Sequence, residues 1–591
     1  MNAEVRQGVA DWLARFGAAT ASGDPEAVAA CFAKDGYWRD LAAFTWNIAT
    51  FEGQAAIREM LGACLARTAP SGWSLLGTPE VSGDTVQAWA TFETATGRGK
   101  AHLRLKDGRC TTLLTALMEL KGHEEKAGFT RENGVEHGAQ PRRVTWLQKR
   151  RHIAETLGIT EQPFCLVIGA GQGGLALAAR LKRLGVPTLV IEKLERPGDA
   201  WRTRYDSLCL HDPVWYDHMP YLPFPDHWPV YTPKDKMADW LECYARLMEL
   251  DIWTSTTCLG ATPEPGGGWT VEVDRAGTRH VLKPAHLILA TGMSGMPKLP
   301  DFPGMDSFSG TQMHSSAWRS GRDWQGRDCV VVGSNNSAHD IAADLWEHGA
   351  RVTMLQRSPT LVIRADTIAR IGRTLYSEKS VQAGIDVDTA DLLTASVPYA
   401  MIADFVRPSV ERMRAEDADF YRDLAETGFM LSFGEDESGI GPMYLRRGSG
   451  YYIDVGASQL VIDGEIALRT GVNVARMEPD AVVLDSGERL PAELVVHATG
   501  YGPMDEWAEL LISPEVAARV GRVWGLGSGT HMDPGPWEGE LRNMWKPTRQ
   551  PGLWFQGGNL AQARHYSRYL ALQLKARFEG IPTPVHAGPE G

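Results

Sequence analysis

Two stretches of this sequence join a glycine spacing to a polar residue at a fixed distance. In "FCLVIGAGQGGLALAARLKRLGVPTLVIEK" an apolar run leads into Gly169-x-Gly171-x-x-Gly174, then a helical pattern, then a second apolar run that ends at Glu192. Glycines so spaced give a tight turn, a close approach of backbone to a pyrophosphate, and close helix–strand packing. The pyrophosphate then lies at a helix N-terminus, where unpaired N–H groups and the helix dipole favour an anion. Glu192 stands 18 residues past Gly174, where a carboxylate can accept from both ribose hydroxyls.

The second stretch, "DCVVVGSNNSAHDIAADLWEHGARVTMLQR", repeats the order with Gly333-x-Asn335-x-x-Ala338. Asn tolerates a left-handed backbone better than most residues, and Ala is the smallest substitute at the packing position. The position matching Glu192 is Gln356, and Arg357 follows it. A carboxylate there would repel a 2′-phosphate; Gln356 does not, and Arg357 adds a positive charge. The first site therefore suits FAD. The second suits a nicotinamide nucleotide, NADPH, with NADH also accepted because glutamine can bind a bare ribose.

The elements that must position these residues set the layout. A chain of 591 residues, 43% apolar and 23% charged, reads as several globular domains. A net charge of −13 without a basic stripe argues against nucleic acid. No apolar run reaches the ~18 residues of a membrane span, and no secretory signal pattern opens the chain. Cys31, Cys64, Cys110, Cys165, Cys209, Cys243, Cys258 and Cys329 are scattered with no Cys-x-x-Cys. That argues against a disulfide framework, a zinc ribbon and a dithiol redox site, so no metal and a cytoplasmic location are expected.

The predicted fold class is α/β: two Rossmann-like dinucleotide-binding domains preceded by an α+β unit. Residues 1–125 read as helices followed by an antiparallel sheet, in which Asp40 and His102 are candidates for acid–base work but are expected to be a surface Asp and a satisfied strand His. Residues 126–160 read as a linker and an amphipathic helix, Trp146 to Leu157, whose basic face packs against the acidic main body. The FAD domain is expected at 161–325 plus 485–591. The NAD(P)H domain is expected at 326–484, with a helical insertion at about 370–450 lining a substrate channel.

Further motifs carry a family resemblance. Phe308-x-Gly310-x-x-x-His314-x-x-x-Trp318 resembles the identifying motif of class B flavoprotein monooxygenases, although Arg319 follows where Baeyer–Villiger enzymes have Pro or Asp. "GDAWRTRYDSLCLHDP", two "ATG" triplets (Thr291-Gly292 and Thr499-Gly500), "YYIDVG" and "GLWFQGGNLAQARHYSRYLALQL" are similar to the same family. The segment "GDPEAVAACFAKDGYWRD" resembles the nuclear-transport-factor-2-like family, and with this extension the chain looks most like type II flavin-containing monooxygenases.

The resemblance implies an NAD(P)H- and O2-dependent enzyme that forms a C4a-(hydro)peroxyflavin and oxygenates small molecules, ketones first. It makes Arg357 the active-site arginine of Baeyer–Villiger enzymes, with a 2′-phosphate clamp as the other reading. It places His211 near the flavin and Asp212 as the carboxylate that braces the arginine, or both as mere flavin contacts. Trp201 would pack beside the flavin ring. The helix starting at Asn559 and Leu560 would point at the flavin carbonyl, with His565 and Tyr566 in the core. The N-terminal unit is treated as structural or as the surface of a homodimer. Rival readings are an S- or N-oxygenase that leaves ketones alone, and a non-catalytic flavoprotein redox sensor.

Overall fold

The computed structural model describes residues 2–588. Helices Asn2–Ser22, Pro25–Ala29 and Gly53–Thr68 pack on a six-stranded sheet ordered Ile48–Glu52, Phe32–Leu41, Arg109–Leu120, Gly97–Lys106, Thr85–Glu93, Ser71–Ser82. Asp24 caps the second helix through the Glu26 N–H, with Pro25 in the first turn. Trp12, Phe16, Phe32, Trp38, Phe44 and Phe92 fill the interior, with ring centroids 4.8–6.2 Å apart. The expected order, helices and then an antiparallel sheet, needs correction. Two strands precede the third helix, and Phe32–Leu41 runs parallel to Arg109–Leu120. A register shift between Phe32 and Tyr37 breaks the alternation that would have marked this strand.

After the linker, the helix Trp146–Thr156 starts in a capping box between Thr145 and Gln148 and buries no residue. Its basic side meets acid: Arg150 reaches Asp251 at 3.0 Å, and the Trp146 indole donates to Glu249 at 2.8 Å.

Two five-stranded parallel sheets form the main body. The first is ordered Leu553–Phe555, His286–Leu289, Cys165–Ile168, Thr188–Ile191, Ile252–Trp253. Strands such as "CLVI" and "TLVI" are buried throughout because both faces are covered. The second sheet is ordered Thr311–His314, Leu494–His497, Asp328–Val332, Arg351–Gln356, Ile466–Thr470. The strands at Thr311–His314 and Leu494–His497, assigned by sequence to the flavin domain, therefore hydrogen-bond in the nucleotide sheet. The C-terminal helix Leu560–Phe578 packs on the helix Gln172–Arg183 of the first unit. In the insertion, Val387–Ala395, Tyr399–Glu416, Ala418–Glu426 and Ile440–Arg447 are helical, and Leu361–Arg364 pairs in parallel with Tyr451–Asp454 of "YYIDVG". Among the described residues no helix is long and apolar enough to cross a membrane.

Candidate functional site

The first cradle has the geometry its glycines require. Gly169 sits at φ +110°, and a Cβ on it would lie 2.5 Å from the Ala290 carbonyl oxygen. A Cβ on Gly174 would fall 1.9 Å from the Gly169 oxygen, so only glycine lets the helix press this close to the turn. A Cβ on Gly171 meets nothing within 4 Å, and no side chain caps the helix that starts at Gln172. Space and free N–H groups thus coincide where a pyrophosphate is needed, so the cradle fits FAD. Glu192 is buried at the strand end, its carboxylate accepting from the Ala170 and Leu194 N–H groups at 2.8 and 2.9 Å. Trp201 is half-buried beside the cradle and donates to Gln172 at 3.3 Å. The Thr291 hydroxyl is buried without a partner among the described residues, and Gly292 follows at φ +81°.

The second cradle repeats the first. Gly333 has φ +134°, and its Cβ would again lie 2.5 Å from an alanine carbonyl, that of Ala498. Asn335 precedes the helix Asn336–Glu347 in an extended conformation without a side-chain cap, and Ala338 is buried in its first turn. This cradle fits a second dinucleotide by the same criteria. Gln356, however, is fully buried: its amide donates to the Met430 carbonyl at 2.9 Å and accepts from the Met430 N–H at 2.8 Å. Arg357 is exposed at the strand end, and no ion pair or hydrogen bond from its side chain occurs among the described residues.

The fingerprint residues are tied within the nucleotide unit, and the chain that follows its strand end reaches back toward the first unit. His314 binds the Gly500 carbonyl through Nε2 at 2.9 Å, and Trp318 donates to Asp344 of the second helix at 2.9 Å. Thr499 donates to the Lys298 carbonyl at 2.6 Å, and Arg204 reaches the Tyr501 hydroxyl at 2.8 Å.

Between the units lie His211 and Asp212. His211 Nε2 is 3.9 Å from Asp340, which accepts from the Tyr205 hydroxyl at 2.6 Å. Burial pushes the Asp340 carboxyl above the usual carboxylate range. Asp212 forms an ion pair with Arg373, their side chains only 21% and 16% exposed. The arginine expected to meet Asp212 was Arg357; the structure brings Arg373 instead. Arg373 lies in "ARIGRTLYSE", a stretch with no motif, so no sequence signal marks it. Its guanidinium lies 5.1 Å from the centroid of the Tyr216 ring, and the Tyr216 hydroxyl accepts from Asn559 at 3.2 Å. Asn559 in turn caps the C-terminal helix in a box with Gln562, and Leu560 is buried behind it.

A buried shell surrounds this cluster. Arg564 donates to both Asp391 oxygens at 2.8 and 2.7 Å and to the carbonyls of Tyr216 and His218 at 2.6 and 2.7 Å. Tyr376 donates to Asp391 at 2.9 Å, and its ring stands edge-on to Tyr216. Tyr566 is buried against Trp545, and His565 packs edge-on to Tyr566 and Tyr569.

In the N-terminal unit, Asp40 is not at the surface. It is wholly buried and accepts from Phe44 N–H, Thr45 N–H, Thr45 Oγ1 and Thr115 Oγ1 at 2.7–3.0 Å. A carboxylate so enclosed is a structural tie. His102 is buried edge-on to Trp89, its Nδ1 without a partner among the described residues.

Residues 166–386 match the family described as pyridine nucleotide-disulphide oxidoreductase, and residues 13–113 match the SnoaL-like domain. Indole-3-pyruvate monooxygenase YUCCA1 of Oryza sativa subsp. japonica is 31% identical over 372 residues, covering 61% of this chain and 79% of that protein. Probable indole-3-pyruvate monooxygenase YUCCA3 of Arabidopsis thaliana is 29% identical over 345 residues, covering 57% and 72%. The open crystal structure of cyclohexanone monooxygenase aligns with a TM-score of 0.51 at 16% identity, covering 71% of this chain and 88% of that one, a likeness of fold.

Proposed function

From its membership of the flavin-dependent monooxygenases, the family to which this chain belongs, we propose that it inserts one oxygen atom into small organic ketones to give esters or lactones. Its cofactors are FAD and NADPH. When bound, the flavin supplies hydride acceptance and the activation of dioxygen. The chain's own groups do the rest. Gly171 and the helix N-terminus behind it hold the FAD pyrophosphate, and Glu192 holds its ribose. Asn335 and the second helix hold the nicotinamide nucleotide. Arg357, exposed at the strand end, is free to meet a 2′-phosphate, and nothing in the second cradle demands one, so NADH is accepted too.

The observation that carries the ketone reading is the Asp212–Arg373 ion pair beside Tyr216. Attack on a carbonyl carbon needs an oxygen nucleophile with negative charge, and a guanidinium held in place stabilises that charge without reorganising. Asp212 compensates and orients the guanidinium, and the Tyr216 and Tyr376 rings keep water from it. The relatives named for indole-3-pyruvate act on a carbonyl compound, which supports the same choice. A second reading, oxygenation of sulfur or nitrogen, is favoured by His211, which can donate a proton from beside Asp340.

The test offers the FAD-loaded protein a cyclic ketone and a sulfide in parallel, with NADPH. Lactone formation coupled to NADPH oxidation supports the proposal. Sulfoxide without lactone overturns it in favour of the second reading.

A further inference from the structure

We propose that the N-terminal domain is a fixed part of the scaffold of the oxygenation site, and that Arg39 and Arg104 are positioning residues that act through the helix Val387–Ala395. The proposal rests on the monooxygenase reading above. Arg39 is 1% exposed and points out of the N-terminal sheet into the main body. It grips both Glu540 oxygens at 2.6 and 2.8 Å, donates to the Ala395 carbonyl at 2.8 Å and to the Tyr566 hydroxyl at 3.1 Å, and lies over the Tyr399 ring. Arg104, from a neighbouring part of the same sheet, donates to the Ser396 carbonyl and hydroxyl, each at 2.9 Å.

Both guanidiniums therefore converge on the C-terminal end of one helix. That end carries unsatisfied carbonyls and the negative pole of the helix dipole, so two cations there fix both its position and its direction. The helix has one conspicuous cargo. Asp391 lies on it, 3% exposed, and ties Arg564 and Tyr376. Arg564 pins the carbonyls of Tyr216 and His218, while Tyr376 packs on the Tyr216 ring that faces Arg373. The path from the N-terminal sheet to the Asp212–Arg373 pair is thus continuous, each link a hydrogen bond, an ion pair or a ring contact.

Two alternatives for this domain fit less well. Its interior is filled by stacked aromatic rings and by Asp40, whose oxygens are all engaged. The part of the sheet that bears Arg39 is covered by this chain itself, so Arg39 is not available to a second copy.

The experiment uses the FAD-loaded full chain and compares Arg104→Met with Arg104→Lys. Three quantities are read: thermal unfolding, visible circular dichroism of the bound flavin, and hydrogen peroxide released per NADPH. For Arg104→Met we expect a folded, yellow protein with an altered flavin dichroism and roughly three- to tenfold more peroxide per NADPH, the scale set by the net worth of one ordinary hydrogen bond, since the residue acts at a distance. Arg104→Lys, which keeps the charge but not the fork, is expected to fall between. A folded Arg104→Met with wild-type dichroism and wild-type peroxide yield overturns the proposal. Should Arg104→Met not fold, Ser396→Ala decides: a shift of about twofold in the same direction supports the role, and no shift overturns it. If the wild-type protein oxidises no ketone, the ketone reading fails, while flavin dichroism and peroxide yield still judge the positioning role.

Discussion

Gln356 clasps the backbone of Met430 with both ends of its amide, one bond in each direction at 2.9 and 2.8 Å. The clasp fixes the strand end that carries Arg357 to the insertion at Met430. A glutamate here turns the donor into an oxygen facing the Met430 carbonyl and buries a charge. Gln356→Glu is therefore expected to lose about 2–3 kcal/mol of stability and to lower kcat/KM for NADPH and NADH by similar factors. Thermal unfolding together with steady-state kinetics for each coenzyme checks this. A selective loss of NADPH use at unchanged stability would mean that the glutamine reads the ribose after all.

Arg357 is expected to behave differently from its neighbour. It is exposed and pairs with no carboxylate among the described residues, so Arg357→Ala should leave the fold intact. KM for NADPH should rise roughly tenfold, the scale of a phosphate contact by one guanidinium, and KM for NADH should barely move. Peroxide yield should stay at the wild-type level with both coenzymes. Uncoupling with NADH would assign Arg357 to the oxygen chemistry and contradict the phosphate role.

For Arg373 the expected loss lies in the oxygenation step. Arg373→Met should cut lactone formation by about 10²–10³, the usual value of one preorganised charge at a developing anion. Flavin reduction by NADPH, followed in stopped flow without oxygen, should stay within about twofold, since the residue is not part of the nucleotide cradle. NADPH consumption with peroxide release would continue. Well-coupled lactone formation by this variant would remove the observation on which the ketone reading stands.

These contrasts mark what sequence could and could not reveal. Gly169, Gly171, Gly174 and Glu192 were legible because their spacing encodes one turn and one strand end, both local. The partner of Asp212 was not legible: Arg373 lies in an insertion without a motif, and only the folded chain brings the two together. Asp40 looks like a surface residue in the sequence because the bulged strand Phe32–Leu41 hides its alternation. The short strands Thr311–His314 and Leu494–His497 are fully local as strands, but the choice of sheet is a long-range matter that periodicity does not encode.

Gly171 allows a clean test of the flavin cradle, because a Cβ there meets no protein atom within 4 Å. Gly171→Val should fold with an unfolding temperature close to the wild-type apoprotein, yet come out colourless, since the added methyl groups occupy the pyrophosphate's space. Absorbance at the flavin bands per mole of protein is the readout. A folded variant with a full complement of FAD would refute the assignment of this cradle.

Acid sensitivity follows from buried histidines. Burial pushes His218, His286, His339 and His497 down to about 4, and His102 to about 3. The unfolded chain protonates each near its ordinary 6.5. Stability is thus complete above about pH 6.5 and is lost as pH falls toward 4, by ~1.4 kcal/mol per pH unit for each proton the unfolded state takes up alone. His339 stacks on Tyr452 with ring centroids 4.0 Å apart, a geometry phenylalanine can share. Denaturant midpoints between pH 7 and 5 should fall less steeply in His339→Phe than in wild type. Parallel curves would show that His339 takes up its proton in the folded state as well.

The two cradles differ at two of their three matching positions, Asn335 for Gly171 and Ala338 for Gly174, and the second difference bears on how tightly each helix can close. Gly174 lets the first helix lie so near its turn that a single methyl would overlap the Gly169 oxygen. Ala338 carries that methyl at the matching place of the second helix, where it is buried, and a methyl at the packing position calls for a wider helix-to-turn spacing. A seat that closes tightly favours long residence; one held slightly open favours exchange. The first dinucleotide is accordingly expected to leave more slowly than the second, an order that gel filtration of the doubly loaded protein reads directly.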